Sequence, residues 1–252
     1  MFIHNINPTL LNIGPFEIRY YGLIYVLSFM AVFFYLQHLI KHKKLPLTKE
    51  QLYDYILFLI IGVMIGGRLF YVFVYNPLYY IQNPLQIFAV WQGGMAFHGA
   101  LIAIIITTYL FAKKIKLNFY KLADLIAIPA AIFLFFGRIA NFLNGELYGH
   151  ITNLPWAVKF QNIPGFRHPS QIYEALKNTL IFSILLFQSK KKHKPGFIFW
   201  HFILLYGLFR FIIEFYRFSP NYYLGLSIGQ YLCILMFIPA VYFLIKDHFL
   251  KK

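Results

Sequence analysis

Gly137-Arg138-Ile139-Ala140-Asn141-Phe142-Leu143-Asn144-Gly145-Glu146-Leu147-Tyr148-Gly149 joins an Arg, two Asn and a Glu directly to the end of an apolar run, Leu122 to Phe136. Inside a bilayer a central Arg or Asp costs about 2.5–3.5 kcal/mol on insertion scales, so such groups need partners or a task. A lone Arg at a helix end commonly snorkels to headgroups. Four polar groups in nine residues point instead to a polar site built at membrane depth.

The rest of the chain supports a membrane setting. It has 252 residues, of which 60% are hydrophobic, and a mean hydropathy of +0.63. Several apolar runs exceed the ~18 residues that span a bilayer. They are continuous, which excludes the short alternating segments of a membrane barrel. Aromatic residues make up 21% of the chain, and Tyr and Trp crowd the run ends as interfacial belts do. The expected fold is an all-α membrane protein, a bundle of about seven transmembrane helices. The spans fall at roughly 19–40, 53–75, 95–112, 122–138, 171–188, 196–217 and 226–245. Residues 1–252 read as a single polytopic membrane domain, with an insert at about 144–170 that forms a small extracytoplasmic cap.

The net charge of +15 would suit nucleic acid, but its distribution argues against that. Lys41, Lys43, Lys44 and Lys49 follow the first span; Lys113, Lys114, Lys116 and Lys121 the third; Lys190, Lys191, Lys192 and Lys194 the fifth. Lys246, Lys251 and Lys252 close the chain. Clusters on alternate loops place the N-terminus outside and the C-terminus in the cytoplasm. Every Arg falls elsewhere, in spans, at outer ends or in outer loops, together with Lys159 and Lys177. Arg in that position fits planar, bidentate recognition of phosphate or carboxylate. The single cysteine, Cys233, excludes an internal disulfide, and no cleavable signal peptide is evident.

Six constellations carry the polar groups. Arg138 and Asn141 are i,i+3 and share a face, while Gly145 and Gly149 break the helix and put Glu146 on a turn. Tyr206, Arg210, Glu214 and Arg217 are spaced 4, 4 and 3 apart, one stripe on span six. An Arg210–Glu214 pair would neutralise itself and leave Arg217 over. Gly93-Gly94-Met95-Ala96-Phe97-His98-Gly99-Ala100 opens span three; a lone His such as His98 is more often structural, yet imidazole is also the usual general base. Gly66-Gly67-Arg68 lies in span two. His168-Pro169-Ser170-Gln171-Ile172-Tyr173-Glu174 opens span five, and Ser227-Ile228-Gly229-Gln230 opens span seven. Tyr20-Tyr21-Gly22 sits at the outer end of span one. Residues 76–94 mix turn signals with apolar Tyr79, Tyr80, Ile81, Leu85, Ile87 and Phe88, which fits a helix lying in the interface. Metal-ligand spacing, a nucleophile elbow and nucleotide fingerprints are absent, so no metal or cofactor is expected. A secondary transporter is the main rival, but repeats and broken helices are not visible. A lipid receptor or scaffold is the third possibility.

These residues resemble the signature of the prolipoprotein diacylglyceryl transferase family. The resemblance runs from the Tyr-Gly of span one through Gly66-Gly67-Arg68, His98-Gly99, the long signature 137–149 and the His168–Glu174 segment to Tyr206-Gly207 with Arg210 and Glu214. Ala140 and Ala100 stand where Gly is common in the family. The resemblance implies an enzyme of the bacterial inner (cytoplasmic) membrane, active toward the outer leaflet. It would move a diacylglyceryl group from phosphatidylglycerol to the lipobox cysteine thiol of prelipoprotein signal peptides, releasing glycerol 1-phosphate. It further implies that Arg138 and Arg210 hold the phosphate and that Asn141 and Glu146 orient the headgroup glycerol or Arg138. His98 would take the thiol proton, since a free thiol with a pKa of about 8.5 offers little thiolate. Tyr21 and Tyr206 would line the pocket, and Glu214 and Arg217 would hold Arg210 in place. Its partners would be phosphatidylglycerol, prelipoprotein signal peptides and membrane lipids, with no nucleic acid.

Overall fold

The structure, a computed structural model, describes residues 1–13, 16–90, 93–219 and 222–249. Two short strands, β1 (Phe2–His4) and β2 (Thr9–Ile13), lead to β3 (Phe16–Arg19) and the long helix α1 (Tyr20–Lys41). Then come α2 (Lys49–Phe70), which runs into a π-turn at Tyr71–Tyr75, α3 (Pro77–Gln82) and a 3-10 turn at Pro84–Phe88. Helices α4 (Phe97–Lys114) and α5 (Phe119–Leu143), strand β4 (Val158–Phe160), and helices α6 (Ser170–Gln188) and α7 (Phe197–Glu214) follow. The hairpin β5 (Tyr222–Tyr223) and β6 (Leu226–Ser227) precedes α8 (Ile228–Phe249).

Seven described helices have 18 residues or more, and they fall where the apolar runs predict spans. Five segments are long and apolar enough to cross a membrane: Gly22–Lys41, Lys49–Tyr75, Phe119–Leu143, Phe197–Glu214 and Ile228–Lys246. The chain is thus a mostly helical, multi-pass membrane protein. On one helix, α6, the packing runs opposite to that of a soluble amphipathic helix. On α6 the buried residues include Gln171, Glu174, Lys177 and Asn178, while Leu176, Leu180 and Phe187 face outward. Apolar side chains outside and polar ones inside are what a hydrocarbon solvent demands.

The chain divides into two compact units, residues 1–32 with 124–252, and residues 33–123. In the second unit α2 packs along α4 at small residues. A Cβ on Gly66 would meet Gly99 O at 2.6 Å, and one on Gly99 would run into Gly66 O and the Phe70 side chain. Lipid tails are as apolar as the side chains, so helices in a bilayer associate through such close backbone approach. Gly99→Ala is therefore expected to cost about 1–3 kcal/mol by overpacking. Its melting temperature in detergent, against Ala103→Gly as a control on the same helix, checks this.

In the first unit α7 packs against α6 and α8. The free N–H groups that begin α7 are capped from another helix. The Asp124 carboxylate on α5 accepts from Gly196 N at 2.7 Å and Phe199 N at 2.8 Å. The insert between α5 and α6 is closed by short extended pairings. Strand β1 runs parallel to β4, and isolated bridges join Gly149 to Arg217 and Arg167 to both Ile151 and Val158. The strand-like alternation Trp156–Phe160 thus forms a strand over 158–160. The N-terminal strands were not legible in the sequence. Three- to five-residue strands carry too few alternations to register, and β1 exists only because β4 offers it an edge. The interface helix anticipated in residues 76–94 is two short pieces, α3 and the 3-10 turn, split at Asn83-Pro84.

Candidate active site

Helix α5 ends at Leu143, and the chain turns on Gly145 at φ 67°, a left-handed conformation that glycine adopts without strain. The turn brings Glu146 back onto its own helix. Asn141 Nδ2 donates to Glu146 Oε1 at 2.8 Å, and Arg138 Nη1 donates to Asn141 Oδ1 at 3.4 Å. Arg138, Asn141 and Glu146 therefore form one local chain. Two groups from the start of α6 hold the turn. Gln171 Nε2 donates to Glu146 O, and Ser170 Oγ donates to Leu147 O at 2.8 Å.

The centre of the site is Glu174 on α6. Its Oε1 accepts from Arg210 Nη1, and its Oε2 lies 2.7 Å from Lys177 Nζ and 3.7 Å from Arg138 Nε. Arg210 reaches a second carboxylate, with Nη2 2.6 Å from Glu214 Oε2, and Arg217 Nη1 lies 3.8 Å from the same oxygen. The i,i+4 pair Arg210–Glu214 forms as its spacing predicts, and Arg217 joins it at longer range. Glu214 is fixed from α8's side: Ser227 Oγ donates to its Oε1 at 3.0 Å, and a Cβ on Gly229 would stand 2.6 Å from that oxygen. Tyr206 is buried beneath Lys177, whose Nζ lies 3.8 Å from the ring centroid. Gly149 lets the end of the signature lie against the exit of α7, since any Cβ there would strike Tyr216 O.

Four cations, Arg138, Lys177, Arg210 and Arg217, thus face two carboxylates, Glu174 and Glu214, a balance of +2. Glu146, linked through Asn141, brings it to +1. A buried set with surplus positive charge is unfavourable alone and favourable around an anion. The cations are not equally available. Side-chain exposure is 2% for Lys177 and 9% for Arg210, against 13% for Arg138 and 23% for Arg217. Arg138 and Arg217 also have the longest contacts of the four.

Beside the cluster, Trp156 Nε1 donates to Tyr173 Oη at 2.8 Å, and Tyr173 Oη lies 3.0 Å from His168 Nδ1. Burial, and then the nearby His150, hold His168 below the ordinary imidazole value. The hydrogen bond shared by Tyr173 Oη and His168 Nδ1 fixes the ring.

The structure therefore brings together Arg138, Asn141, Glu146, Tyr206, Arg210, Glu214 and Arg217 in the first unit. His98 lies in the first turn of α4 in the second unit, its ring centroid 6.1 Å from that of Phe70. The side chain of Tyr21 lies outside the described residues. Sequence reasoning missed Glu174 and Lys177 as site members. Their signal was present, because an acid and a base at i,i+3 in an apolar span must be buried together.

The chain is thus a multi-pass helical membrane protein that carries a net cationic cluster on three helices. Within that class, the chain belongs to the prolipoprotein diacylglyceryl transferase family, whose model matches residues 8–246. It is similar to the phosphatidylglycerol–prolipoprotein diacylglyceryl transferase of Geobacter sulfurreducens, 44% identical over 241 residues that cover 93% of this chain and 92% of the relative. The enzyme of the same name from Rickettsia typhi is 43% identical over 256 residues, 98% of each chain. That from Rickettsia canadensis is 43% identical over 248 residues, 94% of this chain and 95% of the relative.

Proposed function

We propose that the chain is a transferase that moves the diacylglyceryl group of phosphatidylglycerol onto the lipobox cysteine thiol of a prelipoprotein signal peptide, the first step of lipoprotein maturation. The bond between the diacylglyceryl carbon and the phosphate oxygen breaks, a carbon–sulfur bond forms, and glycerol 1-phosphate leaves with the electron pair. The observation that carries this reading is the surplus positive charge of the cluster built on the family signature. Arg138 holds the phosphate and stabilises the charge that develops as the carbon–oxygen bond breaks, with Arg210 behind it. Asn141 and Glu146 aim Arg138 and the headgroup glycerol. Glu214 and Arg217 brace Arg210, and Tyr21 and Tyr206 line the pocket. His98 removes the thiol proton.

In this reading all seven long helices span, the N-terminus lies outside, the C-terminus lies in the cytoplasm, and the site opens to the outer leaflet of the bacterial inner membrane. Residues 1–252 act as one polytopic membrane domain, with 144–170 as its extracytoplasmic insert. The alternate Lys clusters support this orientation. No protein nucleophile is required, because the attacking thiol belongs to the substrate.

Purified protein incubated with phosphatidylglycerol and a lipobox peptide is expected to release glycerol phosphate and yield a lipidated thioether. No release under any lipid composition rejects the enzyme in favour of a transporter or receptor. For His98→Gln, activity lost near neutrality and recovered as pH approaches the thiol's own pKa, about 8.5, supports the base role. A pH profile like the wild type's removes it.

A further inference from the structure

Gly66-Gly67-Arg68 is a signature element that the cationic cluster does not use. Arg68 is 5% exposed and stands before residues 69–112, which hold no Asp, Glu, Lys or Arg. Like every Arg in the chain, it sits where recognition of a phosphate or carboxylate is expected. The geometry assigns it elsewhere. Nε donates to Ile87 O at 2.9 Å, Nη1 to Gly93 O at 2.5 Å and Gly94 O at 3.1 Å, and Nη2 to Gln86 O at 2.5 Å and Ala89 O at 3.2 Å. A guanidinium has five N–H donors, and all five are spent on backbone carbonyls. The Tyr80 ring, 5.2 Å from the guanidinium carbon, adds a cation–π contact.

The clamped loop feeds directly into α4. Gly93 and Gly94 have φ of 87° and 74°, and a Cβ on Gly94 would lie 2.6 Å from Arg68 Nη1. Ala96, the N-cap of α4, makes no side-chain capping bond, and its N–H donates instead to Gly67 O at 2.9 Å. Gly99 then wedges against Gly66. His98 thus lies between two anchor points, Ala96 and Gly99, both tied to the Gly66-Gly67-Arg68 turn of α2.

We propose that Arg68 touches no substrate and is a positioning residue: it fixes Gln86, Ile87, Ala89, Gly93 and Gly94 and so the first turn of α4, which sets where the His98 imidazole stands. This rests on His98 as the thiol base. Lys cannot replace Arg68, because an ammonium has three donors and no planar fork to join five loop carbonyls.

The test uses the full chain in nanodiscs containing phosphatidylglycerol, with Arg68→Lys and Arg68→Ala. Both are expected to lose about 100-fold in kcat, the cost of an ångström-scale misplacement, with KM for phosphatidylglycerol nearly unchanged. Millimolar guanidinium chloride, but not sodium chloride, should restore part of the kcat of Arg68→Ala by refilling the carbonyl cage. Amide hydrogen exchange over residues 86–101 should quicken in both variants. A raised KM with unchanged kcat would make Arg68 a substrate ligand and overturn the proposal; unchanged kcat together with unchanged exchange overturns it equally. If Arg68→Ala does not fold, Arg68→Lys carries the same kinetic and exchange readouts. A wild-type protein without transferase activity defeats the enzyme reading, while exchange over 86–101 still reports the clamp.

Discussion

Glu174→Gln is expected to abolish lipidation and to destabilise the protein by about 3–5 kcal/mol, the cost of removing one partner from a buried ionic set. Glu174 is 2% exposed and meets Arg210, Lys177 and Arg138. Its loss leaves Glu214 as the only fully buried carboxylate of the cluster against four cations. Lys177 suffers most: Glu174 is the only ion-pair partner of Lys177 and of Arg138 among the described residues, and the Lys177 side chain is 2% exposed against 13% for Arg138. The double variant Glu174→Gln/Lys177→Met should therefore regain part of the lost stability, because it removes one uncompensated buried charge. Thermal unfolding in detergent, with expression yield beside it, decides the matter. A Glu174→Gln protein that melts like the wild type would show that this carboxylate does not hold the cluster together.

Arg138→Ala is expected to lower kcat/KM by about 10²–10³, the usual loss when one preorganised donor to developing charge is removed. Its folding should change little. Its contacts, 3.4 Å to Asn141 Oδ1 and 3.7 Å to Glu174 Oε2, are the loosest on that side of the cluster. Arg210→Ala, by contrast, strips both Glu174 and Glu214 of their nearest cation and should lose stability and activity together. Arg138 thus separates chemistry from folding in a way that Arg210 does not. Arg138→Lys should recover less than a tenth of the activity, since an ammonium lacks the bidentate fork for phosphate. Steady-state lipidation kinetics at matched melting temperatures test this, and near-normal turnover by Arg138→Ala would remove the phosphate role.

Interactions whose partners lie one or two helical turns apart were legible in the sequence. The Arg210–Glu214 pair and the Arg138–Asn141 contact follow from i,i+4 and i,i+3 spacing alone. Long apolar runs placed the seven long helices for the same local reason, since bilayer thickness sets their length. Gly145 and Gly149 announced the turn that returns Glu146 to Asn141.

What the sequence alone determined is a multi-pass helical protein with a family signature and a stock of costly polar groups. Only the tertiary structure decided which of them meet. Glu174 became the hub through Arg210, 36 positions away, and Arg68 met loop carbonyls 18 to 26 positions away. Such choices depend on which helix faces pack together and where loop carbonyls point. Spacing along one helix carries no information about either, because a guanidinium is satisfied equally well by a phosphate, a carboxylate or five peptide oxygens.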